Sequence, residues 1–233
     1  MLNHEYFGIN PVIYEGKYHR ISSEVFHPTI KFSSEIFRLC YYDTSEEIIV
    51  LNNDIDDYET ESYTYPDKHY ILTFYDLKLN NDFVSLFFAL KIKHSDLTNL
   101  RLAMEKYSNW LNIADMNMIS FRKHISDFDI NAEAFFLDHR KNSYKTSISM
   151  SFFIESIYSN NKLSYYFLTS LNHIDSAPIK GNSAPLDNLS LDIEGIYLSK
   201  TEVEELIKKI EPNKLKILES RIENENDLLG LFK

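Results

Sequence analysis

Two carboxylates with a lysine beside them are the first arrangement in this sequence that could do chemistry. Pro66-Asp67 is followed by Asp76-Leu77-Lys78, an order of groups able to hold a divalent cation and polarise a phosphodiester. That chemistry needs both carboxylates within a few ångströms of one ion. The residues between them read as a single extended strand, and nine residues at about 3.3 Å each keep Asp67 and Asp76 roughly 30 Å apart. The spacing argues against a metal site. Asp127-Phe128-Asp129 could present a metal–nucleotide pair, but no apolar parallel strand leads into it. Aspartates in a turn explain themselves by bonding the local backbone.

The histidines, at positions 4, 19, 27, 69, 94, 124, 139 and 173, include no H-x-H and no pair four apart on a helix, so their spacing promises no convergent ligand set. His124 and His139, with Glu133 and Asp138 nearby, are the residues from which a dispersed acid–base site could be assembled. The five glycines are too scattered to cradle a phosphate, and no G-x-S-x-G elbow is present. Cys40 is the only cysteine and sits in the apolar run IFRLCYY. It reads as a small buried hydrophobe, and one cysteine excludes an intramolecular disulfide or a cysteine-based zinc site. No cofactor and no metal is expected.

One stretch departs from the rest in composition. From Cys40 through Asp67 there is no Lys or Arg, while Asp43, Glu46, Glu47, Asp54, Asp56, Asp57, Glu59, Glu61 and Asp67 are acidic and Tyr58, Tyr63 and Tyr65 are interleaved. A solvated loop would account for the polarity. A binding surface accounts for the tyrosines as well, since carboxylates steer a basic partner and tyrosines supply contact area. A calcium loop is excluded by Glu59, which falls where the sixth position from Asp54 would need glycine. The candidate partner-binding residues are Asp54, Asp56, Asp57, Tyr58, Glu59, Glu61, Tyr63 and Tyr65. Two basic triplets, Arg122-Lys123-His124 and His139-Arg140-Lys141, read as charged strand edges that discourage aggregation.

The elements that must carry these residues follow from hydrophobic pattern. His69 to Lys93 reads as a hairpin around Asn80-Asn81, a loop that pairs Leu77 with Val84, Thr73 with Phe88 and Ile71 with Leu90. Ile71, Tyr75, Leu77, Val84, Leu86, Phe88 and Leu90 then share one face. Ser147 to Leu171 repeats the logic around Asn160-Asn161, setting Met150 opposite Leu171, Phe152 opposite Thr169 and Ile154 opposite Phe167. Residues 1–30 read as short strands and turns, Ile30 to Tyr42 as a strand with Ile48 to Leu51 its partner, and Met118–Ile125 with Ala132–His139 as a further pair. Residues 172–188 read as a long loop and Leu189–Leu198 as a last strand. Ser95 is placed as the N-cap of a helix to about Asn112 with Leu97, Leu100, Met104, Tyr107 and Leu111 as its stripe. Ser199 with Glu202 forms a capping box for a second helix, and Pro212 ends it or opens a third.

The pattern specifies an α+β fold of antiparallel β-meanders with Asn-Asn hairpins, each series followed by a Ser-capped helix that packs on the sheet. The order of elements divides the chain into residues 1–115 and 116–233, as two halves or one continuous domain. At 233 residues, with 44% hydrophobic and 14% aromatic content, the chain is of globular composition. A net charge of −11 argues against generic nucleic-acid or anionic-membrane binding. No apolar stretch is long enough to span a bilayer and no signal peptide opens the chain, so a cytoplasmic location is expected. Together these features predict a non-enzymatic, acidic protein-binding protein, of the inhibitor or immunity type that masks a basic protein such as a nuclease toxin. The rival readings are an enzyme with a dispersed site and a structural or assembly subunit.

Overall fold

Alternation of large apolar and polar residues draws this chain into long strands, most of them longer than the pattern predicts. The computed structural model describes residues 12–24, 27–42, 69–80, 83–125, 128–138, 143–159, 161–178 and 195–230. Within them lie β1 (Val12–Glu24), β2 (His27–Tyr42), β3 (His69–Asn80), β4 (Phe83–Lys93), α1 (His94–Asn117), β5 (Arg122–His124), β6 (Ile130–Asp138), β7 (Ser143–Ser159), β8 (Lys162–Pro178), β9 (Ile196–Leu198), α2 (Lys200–Lys209) and α3 (Pro212–Gly230). β1 to β4 form a meander, β4 pairs with β6, β6 with β7, β7 with β8, and β9 bridges β8 back to β1, all antiparallel. The sheet thus closes on itself as an eight-stranded antiparallel barrel, and β5 is added on β7 beyond the end of β6. Closure removes the exposed sheet edges that an open meander would leave.

The inward face is apolar on every barrel strand. Tyr14 and Tyr18 of β1, Phe37, Leu39 and Tyr41 of β2, and Phe152 and Ile154 of β7 are all buried there, and one core unites the strands with the helices. The α1 stripe of Leu97, Leu100, Met104, Tyr107 and Leu111 is buried as its spacing predicts. α1 lies against β3, β4, β6, β7 and β8, and α2 against β1, β8 and β9. Strands of both halves of the chain therefore share one sheet and one core. Gly16 is required by this packing, because a Cβ there would stand 2.5 Å from the Tyr14 ring and 2.9 Å from the Phe37 ring.

Buried tyrosine hydroxyls tie the layers together. Tyr18 donates to the Tyr75 carbonyl at 2.6 Å, Tyr107 to the Tyr165 carbonyl at 3.1 Å, and Tyr14 to Glu205 Oε2 at 3.2 Å. The Tyr165 hydroxyl lies 3.1 Å from the Ala114 carbonyl and 2.9 Å from that of Ile119, pinning the end of α1.

Several expectations are corrected. Residues 12–24 form one long strand rather than short pieces. The first hairpin is offset by one residue: Thr73 pairs with Ala89, Phe74 with Phe88 and Leu77 with Ser85. Tyr70, Leu72, Phe74 and Leu77 join Phe88 and Leu90 in the core, whereas Ile71 and Thr73 are buried outside it. Both faces at the start of β3 are covered, so alternation there did not single out one register. A positive φ of 53° at Asp76 then breaks the alternation and brings Leu77 inward. Ser95 lies inside α1, which begins at His94 and runs on to Asn117; the Asp96 carboxylate accepts from the Lys93 N–H at its start. β5 and β6 do not pair with each other, since both lie along β7. β8 continues to Pro178 into the segment expected as a loop, and Ile48–Leu51 lies outside the described residues.

The second hairpin has the expected register, Met150 with Leu171, Phe152 with Thr169 and Ile154 with Phe167, and Asn161 adopts φ 59° at its turn. Ser199 Oγ accepts from the Glu202 N–H while the Glu202 carboxylate accepts from the Ser199 N–H.

Two measurements check this core. Phe88→Ala should destabilise the protein by about 3–5 kcal/mol, read as a lowered denaturation midpoint, because the side chain is fully buried. Burial raises the phenol pKa of Tyr14, Tyr18, Tyr70 and Tyr107 above the ordinary value. These groups hold their protons more tightly folded than unfolded. Their contribution is complete below about pH 10 and declines as pH rises beyond it, where only the unfolded chain ionises. Tyrosinate absorbance on alkaline titration should show a late class of tyrosines that ionises together with loss of secondary structure.

Candidate functional site

The acidic stretch is fixed to the barrel at two adjacent points. The chain leaves β2 at Tyr42 and re-enters β3 at His69, and these two residues are paired across the β2–β3 ladder. Asp54, Asp56, Asp57, Tyr58, Glu59, Glu61, Tyr63 and Tyr65 lie between them and outside the described residues, as does Asp67. The charge of the chain is concentrated there. Of 35 acidic and 24 basic residues, nine acids and no bases fall within 43–67, leaving twenty-six acids against twenty-four bases elsewhere.

The end of the barrel from which this segment departs carries a polar cluster that the spacing of the histidines did not reveal. His69 is paired with Lys93, so the start of β3 lies beside the start of α1. The Tyr70 hydroxyl donates to Glu219 Oε1 from α3, and His94 Nδ1 stands 3.3 Å from that hydroxyl and 3.4 Å from the same carboxylate. The Tyr41 ring meets the Tyr70 ring edge-on at 5.5 Å. Burial, reinforced by the hydrogen bond to Glu219 and its charge, pushes the Tyr70 phenol well above the ordinary tyrosine value. A phenol held protonated against a carboxylate is a fixed donor, neither a base nor a nucleophile. The cluster has the chemistry of a clasp that joins α3 to the barrel.

A second cluster surrounds β5. All three residues of this strand are exposed. Arg122 lies over the Phe153 ring at 4.7 Å, and the His124 ring meets the same phenyl at 4.9 Å. Lys123, projecting to the other side, places its Nζ 4.4 Å from the centre of Trp110 on α1. Lys106 Nζ stands 5.3 Å from Trp110 and 5.5 Å from Phe128. His124 Nε2 is 3.0 Å from Asp129, and Arg122 is 3.8 Å from Glu155. The basic triplet was visible in sequence. Its rings were not, because Trp110 and Phe153 come from two other parts of the chain.

The other candidates do not converge. His124 is level with Phe153 on β7 and Glu133 with Ser147, six residues apart, or about 20 Å along the strand. Glu133 instead faces Lys91 at 4.0 Å, and His139 lies outside the described residues. Asp129 is engaged with His124, and Asp127 is outside the described residues. Asp76 is exposed at its strand kink. Burial raises the Cys40 thiol pKa, opposed more weakly by Arg38, which disfavours a thiolate. Among the described residues no group of three or more His, Cys, Asp or Glu is placed to hold a metal, and no helix is long and apolar enough to cross a membrane.

Removing one member of the clasp should show its structural role. Tyr70→Phe leaves Glu219, whose side chain is 13% exposed, without its phenol donor and should cost about 1–3 kcal/mol. Hydrogen exchange should report the loss first in α3, because Glu219 ties that helix to the barrel through the Tyr70 hydroxyl. No family model, no curated protein and no solved structure matches this chain.

Proposed function

We propose that the chain is a protein-binding protein in which a nearly neutral barrel presents the acidic, tyrosine-bearing segment 43–67 to a basic protein. The observation that carries this reading is the partition of charge. Nine of the acidic residues, with no basic ones, fall in one segment, while the rest of the chain is almost balanced. That segment is secured at both ends by the paired residues Tyr42 and His69. A concentrated field of one sign speeds encounter with a partner of the other sign, and aromatic side chains among the charges provide area that is retained after docking. An inhibitor or immunity-type protein that masks a cationic toxin such as a nuclease has this combination of needs. A second reading, an assembly subunit, rests on Ile113, Met116, Met118 and Ile119, all exposed around the end of α1, since exposed apolar clusters mark contacts between chains.

The two kinds of residue in the segment are separable by kinetics with the basic partner. Changing Asp56→Lys, Asp57→Lys and Glu59→Lys together should slow association by about tenfold or more with the thermal midpoint unchanged, because exposed charges chiefly set the on-rate. Tyr58→Ala or Tyr63→Ala should instead speed dissociation. Added salt should reproduce the charge reversal and not the tyrosine effect, since it screens charges beyond a Debye length of about 8–10 Å. Unchanged kinetics in the triple-lysine variant would return the segment to an ordinary solvated connection.

A further inference from the structure

Helix α1 carries a second stripe, on the side away from its buried one. Leu102, Lys106, Asn109, Ile113 and Met116 follow one another at alternating spacings of four and three, the repeat of a two-stranded coiled coil. That spacing places them opposite the buried Leu100, Met104 and Leu111. Leu102 is exposed, Ile113 is 60% exposed and Met116 82%. Met118, which closes the helix at φ 48°, a conformation that glycine adopts most cheaply, is 80% exposed. None of these four apolar side chains belongs to the core, so folding does not account for them. The charges beside the stripe are engaged on its flanks. Arg101 donates to Glu105 at 2.6 Å on one side, and Lys106 Nζ leans toward Trp110 and Phe128 on the other, leaving its apolar stem on the stripe. An apolar seam between polar flanks has the make-up of an interface core and its rim.

We propose that this stripe is the interface of a homodimer in which α1 packs antiparallel on α1 of a second copy. The stripe is its own complement about its central residue. Leu102 and Met116 each lie seven residues from Asn109, about 10 Å along the helix. A two-fold axis at Asn109 therefore brings Leu102 of one copy to Met116 of the other at both ends. The two Asn109 carboxamides, each donor and acceptor, meet in the middle. One polar pair in such a seam fixes register at a cost in stability. Lys106 comes level with Asn112 in this arrangement. A parallel pair would instead set Lys106 against Lys106 and align the two helix dipoles. With Met118, the apolar side chains expose roughly 500 Å² in each copy, so a pair removes about 1,000 Å², where specific interfaces begin. The pairing rests on the assembly reading of the exposed end of α1, which it extends along the helix, and it does not involve segment 43–67.

Sedimentation velocity of the full chain should show a reversible monomer–dimer equilibrium, with dimer populated at about 100 μM. Added salt should strengthen it, because salt screens the repulsion between two copies that each carry a net charge of −11. Ile113→Glu with Met116→Glu, both exposed and outside the core, should weaken association about tenfold or more at an unchanged thermal midpoint. Asn109→Leu should strengthen association, since it removes the polar pair from the seam. Cross-linking tests the direction, in chains that also carry Cys40→Ser. Leu102→Cys and Met116→Cys chains should form a disulfide with each other when mixed. Neither should couple to its own kind, because like positions lie about 21 Å apart in the antiparallel pair. A chain that is monomeric at every concentration overturns both the pairing and self-assembly as its role. A dimer that withstands the double glutamate change, or in which like cysteines couple, overturns this pairing and leaves self-assembly standing. A dimer that salt dissolves is held by charges, and overturns the apolar seam.

Discussion

A buried phenol must hydrogen-bond, and the architecture of this protein depends on how it meets that demand. Tyrosine fills space as phenylalanine does, but leaving its hydroxyl without a partner in an apolar interior costs about 1–3 kcal/mol. Barrel strands supply some of the partners, since a ladder carbonyl keeps a second lone pair, and Tyr107 uses that of Tyr165 on β8. The other acceptors come from the end of α1, helix carboxylates and a strand irregularity: the Ala114 carbonyl in the last turn of α1 and the Ile119 carbonyl after it, Glu205 on α2, Glu219 on α3, and the Tyr75 carbonyl beside the kink at Asp76. Tyr14, Tyr18, Tyr70, Tyr107 and Tyr165 therefore each fix where an element must sit. The helices share the barrel core and are positioned by these bonds more specifically than by their apolar stripes, which would tolerate sliding by a turn.

Closure of the sheet imposes a second constraint, and it is met unevenly. On one side, β4 and β6 pair over several residues, from Ser85 with Asp138 to Lys91 with Glu133. On the other, three residues of β9 complete the circle, pairing at Phe167, Leu168 and Thr169 of β8 and only at His19 of β1. So short a strand holds its place through side chains: Ile196 and Leu198 are buried in the core, and Ser199 directly after them starts α2. The capping box and the strand act as one unit. A Cβ on Gly195 would stand 2.4 Å from the Leu168 side chain, so the approach to β9 also depends on a residue without one.

How far the sequence discloses this fold differs between its two hairpins. Ser147 to Leu171 has one strongly apolar alternation, and the Asn160-Asn161 turn agrees with it, so the register could be read. In His69 to Leu79 both alternations are apolar. Tyr70, Leu72 and Phe74 compete with Ile71, Tyr75 and Leu77, and the structure buries members of both sets. The face is then decided by the left-handed Asp76 and by the helices, neither of which a strand pattern contains. Ser95 was misplaced for a related reason. The strand–helix junction passes directly from Lys93 to His94, and Asp96 in the first turn accepts from the Lys93 N–H, the backward bond of a capping box, so the helix starts without a serine at its cap. The closed barrel was not legible at all, because β9 is three residues long and its partners lie about 30 and 180 positions earlier in the chain.

The candidate sites follow the same division between local and long-range information. An acidic run is a property of composition and can be read without a structure. The Tyr70–Glu219 bond joins residues 149 apart, and the ring contacts of the basic triplet at β5 come from Trp110 and Phe153, which lie in other elements. Net charge misleads in such a protein, because it averages a segment of nine uncompensated carboxylates with a body that is close to neutral. Fields in salt act over about 8–10 Å, and α1 alone spans about 36 Å. A partner therefore meets local charge rather than the average over the chain. The clasp at the start of α1 and the tyrosine pins at its end hold this helix to the rest of the fold at both ends, so the bonds that satisfy the buried phenols also fix the position of α1 along its length.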